Sequence, residues 1–273
     1  MLNNLGIMQG RLLPMIGNKI QAFPEKNWKK EFRKLKKLGI KKLEWTIDHK
    51  NFNKNPLIDF SQHKNIINLK KKYKININSV TCDCMMQKPF WKTKNNNKLL
   101  LDFKEIIVSC SRLKIKYIII PLVDNGSIKK KKDEEYFVKK ITEFNKLIKK
   151  HKVKVIFESD YEPFKLRQFI KKFNKNLFGI NYDIGNSSYF NYDVDDEFAL
   201  YGKYIENIHI KDRKFRGKTV RLGEGNANFD KVHKNVKKIN YKKNFILQTA
   251  RSKSGNHVKE IKLNISFLKK RGF

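Results

Sequence analysis

Eight short β-prone runs, each followed by a stretch with helical spacing, constrain this chain more than any other feature. The runs are NLGIM (4–8), KKLEWT (41–46), ININSVTCD (75–83), KYIIIPL (116–122), VKVIFES (153–159), LFGINYD (177–183), ENIHIKD (206–212) and NFILQ (244–248). Helical spacing follows over 28–38, 61–74, 97–113, 134–150, 163–173, 195–203, 228–239 and 256–270. Strands alternating with helices imply right-handed βαβ units and a parallel sheet. Eight units in 273 residues predict a closed (β/α)8 TIM barrel of α/β class, a single domain over 1–273. No Pro/Gly/Ser-rich linker divides the chain, and no GxGxxG or GxxxxGK[ST] follows the first run, which removes the usual nucleotide-binding alternative.

In such a barrel the chemistry sits where strands end. The fifth run ends in Glu158, the sixth in Asp183, the seventh carries His209 and the eighth ends in Gln248. Each type has a plain structural use: a core histidine, a turn-forming Asp, a capping Glu. Their coincidence at consecutive strand tips instead suggests one divalent cation, and Mn²⁺, Mg²⁺, Co²⁺ or Zn²⁺ would accept this mixed oxygen and nitrogen set.

The net charge of +36 invites nucleic acid as a partner. The lysines are spread over nearly every helix and turn, however, without one face of interleaved aromatics. That pattern is a solvated surface, with a field that draws anions to an open cleft. Three cysteines, Cys82, Cys84 and Cys110, do not make a disulfide framework, and CDC lacks paired zinc-site spacing, so it reads as strand-end packing. No secretory signal and no membrane-length apolar run is present, so a cytoplasmic setting is expected.

FESDYEP, YDIGNSS, NIHIKDR and LGEGNANFD, with GIMQGRL, IQAFPEKNW, LEWTID and VTCDCMMQKPF near the start, resemble the xylose-isomerase-like barrel superfamily. The similarity runs along nearly the whole chain and is nearest to sugar-phosphate isomerases and epimerases. It implies a metal held by Glu158, Asp183, His209 and, where relatives carry a second Glu, Gln248. In the epimerases the two glutamates move a proton on opposite faces of the sugar. Here only Glu158 remains to act as general base, because an amide can ligate a metal but cannot donate a proton by ordinary acid–base chemistry. The loss favours aldose–ketose isomerisation, or an epimerisation in which Glu224 or Asp212 substitutes.

Lys211, Arg213, Arg216, Arg221 and Arg251 follow the last two runs, where barrels often bind phosphate. Lys211, Arg213, Arg221 and Arg251 are the substrate candidates, and Lys211 also matches a position of the relatives. Asn186 is expected to shape the pocket, Glu44 and Trp45 to line its floor, and Trp91 with Phe90 to lid a sugar ring. The expected ligand is a sugar or sugar phosphate, with no membrane or nucleic acid, and a homo-oligomer is compatible. Three rival readings use the same residues. They are a metal-dependent dehydratase or lyase on a sugar-like keto acid, a non-catalytic sugar-binding barrel, and an apurinic-site endonuclease-like barrel, which would need more strand-tip histidines.

Overall fold

In the computed structural model, which describes residues 4–17 and 19–273, the chain forms ten strands. They are β1 Leu5–Met8, β2 Lys42–Thr46, β3 Asn76–Thr81, β4 Tyr117–Leu122, β5 Lys154–Ser159, β6 Phe178–Asp183, β7 Ile205–Ile210, β8 Asp212–Arg213, β9 Thr219–Val220 and β10 Asn244–Leu247. Eight of them pair in parallel and close in the ring order β1-β10-β7-β6-β5-β4-β3-β2, while β8 and β9 form a separate antiparallel ribbon. The predicted (β/α)8 TIM barrel is therefore the observed fold.

Strands of such a barrel are covered on both faces, which is why they read as apolar runs and not as alternating ones. All six residues of β4 are buried, as are all six of β6 and of β7. Outward side chains meet the helices. Phe157 and Phe178, for example, pack on Phe173 with ring centroids 5.0 Å away in each case.

The helix expected over 134–150 is two helices, Lys131–Thr142 and Asn145–Lys150. The Thr142 hydroxyl donates to the carbonyls of Val138 and Lys139, a back-bond that bends helices. Two short helices, Asp83–Gln87 and Ile184–Phe190, begin directly after β3 and at the end of β6.

Two register shifts fall beside the future site. One extra residue enters β3 between the partners of Leu43 and Glu44, and one enters β7 between those of Ile180 and Asn181. Bulges of this kind re-aim side chains. Here Ser79, Thr81, Asn181 and Asn207 are all turned into one buried polar layer inside the barrel.

At the opposite end, Glu206 takes Lys154 at 2.7 Å and Lys243 at 2.8 Å, with the Tyr117 hydroxyl at 3.2 Å. Burial alone would raise the Glu206 carboxyl, but the two ammonium groups outweigh it and hold the pKa below 4.5. A depressed folded pKa adds stability above the unfolded value and loses it as pH falls through the folded one. Denaturant unfolding of Glu206→Gln should thus show its full deficit against wild type from about pH 6 upward, and the gap should close on acidification. A gap independent of pH would rule out this ion pair as an acid-labile clamp.

Candidate metal centre

The C-terminal ends of three neighbouring strands bring Glu158, Asp183 and His209 together. One ligand-capable atom of each lies within 4.8 Å of the other two, and all three side chains are buried. His209 Nδ1 stands 3.1 Å from Glu158 Oε2 and 3.7 Å from Asp183 Oδ2. Strand register explains the meeting, since Asp183 is directly opposite His209 across β6 and β7.

Behind the imidazole, Nε2 lies 2.7 Å from Glu44 Oε1. Glu44 also accepts from Ser79 (2.7 Å), Thr81 (2.8 Å) and Asn207 (3.1 Å). A carboxylate behind a histidine fixes the tautomer and turns the other nitrogen outward, as around metal sites generally. Burial alone would lower the His209 pKa, but Glu44, Asp183 and Glu158 outweigh it and hold it well above 6.5. Asp183 is also buried, yet Lys211 and His209 bring its pKa down to about 2. The pocket is built for positive charge, and two carboxylates with one imidazole suit a divalent cation.

Gln248 follows β10 directly and is half-buried. Its Oε1 lies 3.3 Å from Lys211 Nζ, which is also 3.3 Å from Asp183 Oδ2. The amide thus joins the cluster through the lysine. Gly185 makes room for that lysine, because a Cβ there would come 2.5 Å from Lys211 Cγ. Asn186 ties two carboxylates, its backbone N–H donating to Asp183 and its side-chain amide to Glu158, each at 2.8 Å. Asn181 donates to the other Glu158 oxygen at 2.9 Å.

Above these groups opens a cavity of about 300 Å³, lined by Glu158, Asn186, Lys211, Arg213 and Gln248 together with Arg11 and Asp83. Arg213 reaches it from β8, stacked 4.0 Å from the Tyr189 ring and 3.4 Å from Asn186 Oδ1. The other proposed contacts fall elsewhere. Arg221 grips Glu260 at 2.7 and 2.8 Å and, with Glu224 and Arg251, lines a separate surface depression. Arg251 holds the first loop through the carbonyls of Gly10 and Leu13. Arg216 is exposed.

Phe90 and Trp91, expected as a lid, are instead buried in the wall against Phe137 and do not line the mouth. Glu44 lies beneath the floor, whereas Trp45 points outward onto Trp28 and Phe23. Asp212 cannot replace a lost acid, since it accepts from the backbones of Gly223, Gly225 and Ala227. Gly225 is required there: a Cβ would sit 2.1 Å from Asp212 Oδ1.

Three residues near the centre escaped the sequence reading. Asn181 sits two positions before Asp183 on the same inward face, a period-two signal that was available. Arg11 follows β1 and donates to the Ile20 carbonyl and Gln21 Oε1, each at 2.6 Å. Asp83, two residues past β3, is buried inside the CDC stretch.

The model of one protein family, the xylose isomerase-like TIM barrel, matches residues 32–271. No curated protein sequence is detectably similar. Among solved structures, the fold resembles a xylose isomerase domain protein from Planctomyces limnophilus, with a TM-score of 0.77 at 13% identity over 98% of this chain and 96% of that one. It also resembles the IOLI protein with a binding zinc atom (TM-score 0.76, 16% identity, 98% and 97% covered). A third is D-psicose 3-epimerase with D-tagatose from Clostridium cellulolyticum H10 (TM-score 0.76, 15% identity, 98% of both chains). At such identities these structures speak for the fold, but the family match spans most of the sequence, and the chain belongs to the xylose isomerase-like TIM barrel family.

Proposed function

We propose that this protein is a divalent-metal-dependent isomerase or epimerase of a sugar or sugar phosphate, with Glu158 as general base. The observation that carries the reading is the convergence of Glu158, Asp183 and His209 on one point, with Glu158 also lining the cavity. These three would hold the ion, with the Gln248 amide oxygen as a fourth donor if Lys211 releases it. A bound cation supplies Lewis acidity, which makes a carbon beside a carbonyl acidic.

The remaining work falls to the chain. Glu158, kept as an acceptor by the amides of Asn181 and Asn186, takes the carbon proton. Lys211 and Arg213 hold an anionic or hydroxyl-rich substrate against the floor. Relatives in fold include a D-psicose 3-epimerase with D-tagatose, which supports ketoses as the first compounds to try. No helix of the described residues is long and apolar enough to cross a membrane.

The test is solvent exchange. With Mn²⁺ in D₂O, deuterium should enter one carbon of a ketose or ketose phosphate, and EDTA should stop it. Absence of exchange across D-fructose, D-tagatose, D-psicose and their phosphates, together with no metal binding, would overturn the proposal.

A further inference from the structure

Position 248 carries an amide, which leaves Glu158 as the one carboxylate of the proposed metal site that lines the cavity. The cavity holds two further carboxyls, Asp124, which is exposed, and Asp83, which is buried. Asp83 opens the short helix after β3, is 5% exposed and lines the same cavity as Glu158, Lys211 and Arg11. No hydrogen bond to either of its oxygens is found among the described residues, in contrast to Glu158, Asp183 and Asp212, each of which accepts two or more. A largely buried carboxyl that lines the cavity and has no partner in the protein is free to engage what binds there.

Its surroundings favour the neutral form. Burial, then Asp48, Glu158 and Glu44, push the Asp83 carboxyl well above 3.8, against the opposing pull of Arg11. A neutral carboxylic acid lining the same cavity as a general base lets one site both give and take protons at one pH.

We infer that Asp83 is the second proton-handling residue of the site, and that the reaction is an epimerisation. This rests on the function proposed above. Glu158 takes the proton from the reacting carbon, and the C–H electron pair moves into the enediolate. On this assignment the Asp83 O–H then protonates that carbon on the face opposite to Glu158, as the electron pair returns to form the new C–H bond. Glu158 is left protonated and Asp83 ionised. Glu158 releases its proton to water and Asp83 regains one, so the cycle closes without any further reactant.

The experiment compares wild type, Asp83→Asn and Asp83→Glu with Mn²⁺ and the ketose panel in D₂O, reading isotope and configuration separately by NMR. Asp83→Asn should keep Glu158-dependent deuterium exchange in recovered substrate within about tenfold, and lose inversion by about a hundredfold or more. Asp83→Glu should recover part of the inversion. The infrared carbonyl stretch of a neutral carboxylic acid should be present in wild type at pH 7 and missing in Asp83→Asn. Inversion by Asp83→Asn within twofold of wild type would overturn the inference and leave the proposed function standing. A lowered melting temperature with inversion intact would reduce Asp83 to a helix-terminus residue. No exchange by wild type on any probe would instead remove the underlying function, and this assignment with it.

Discussion

Glu158→Gln is expected to reduce carbon-proton exchange by about three orders of magnitude while leaving the protein folded. The change keeps volume and one oxygen ligand but removes the basic carboxylate. Its cost in stability follows from the hydrogen bonds. Both Glu158 oxygens now accept from amides, Asn181 on one side and Asn186 on the other. Glutamine offers one acceptor and one donor, so one of those amides loses its partner. Asn186 is poorly placed to flip, because its own oxygen accepts from Arg213 at 3.4 Å. A single orphaned buried group costs about 1–3 kcal/mol. Calorimetry should therefore show a folded variant with a modestly lowered Tm, and exchange kinetics a near-complete loss. If exchange persists within tenfold of wild type, Glu158 is not the base.

The same two amides show what the sequence could and could not reveal. The tips of β5, β6 and β7 were legible because a charged or imidazole side chain ending a run buried on both faces has few structural uses. The barrel was legible for the same reason, through the spacing of its apolar runs. Partnership was not legible. Arg221 and Arg213 look alike in a chain of net charge +36, and only the fold shows that Glu260, 39 residues away in sequence, occupies the first. Aromatic residues after β3 suggested a lid, yet Phe90 and Trp91 pack inward because helix Lys131–Thr142 brings Phe137 against them.

Asp83 was obscured by its neighbours. Cys82 and Cys84 drew the stretch towards metal spacing or packing, and both are indeed buried and free. The acid between them nonetheless follows β3 much as Asp183 ends β6. Arg11 shows a further limit. Its position was plain, but its burial depends on Glu31, which accepts from the backbones of Gly10 and Leu12 and so folds the first loop back over the barrel. Such loop closure joins residues about twenty positions apart and leaves no periodic trace.

Glu44 should give the second large effect, because it supports both the barrel interior and the proposed metal ligand His209. It is fully buried and accepts four hydrogen bonds, from Ser79, Thr81, Asn207 and His209. Glu44→Ala removes one partner of a buried charge pair and strands three polar groups, a change that costs about 3–5 kcal/mol. At roughly 2–4 °C per kcal/mol for a chain of this size, Tm should fall by about 10 °C or more. Glu44→Gln separates the two roles. It preserves packing and an acceptor for His209 Nε2–H, but it removes the carboxylate charge that raises the basicity of the imidazole as a ligand. Loss of such an outer partner weakens metal binding about 10- to 100-fold. Thermal melts with and without Mn²⁺ read this directly, since a ligand bound at a hundred times its Kd raises stability by about 2.7 kcal/mol. The Mn²⁺-induced rise in Tm should shrink in Glu44→Gln relative to wild type, even where the metal-free Tm values are close. An equal rise in both proteins would mean that Glu44 supports the barrel interior and does not tune His209 for a cation.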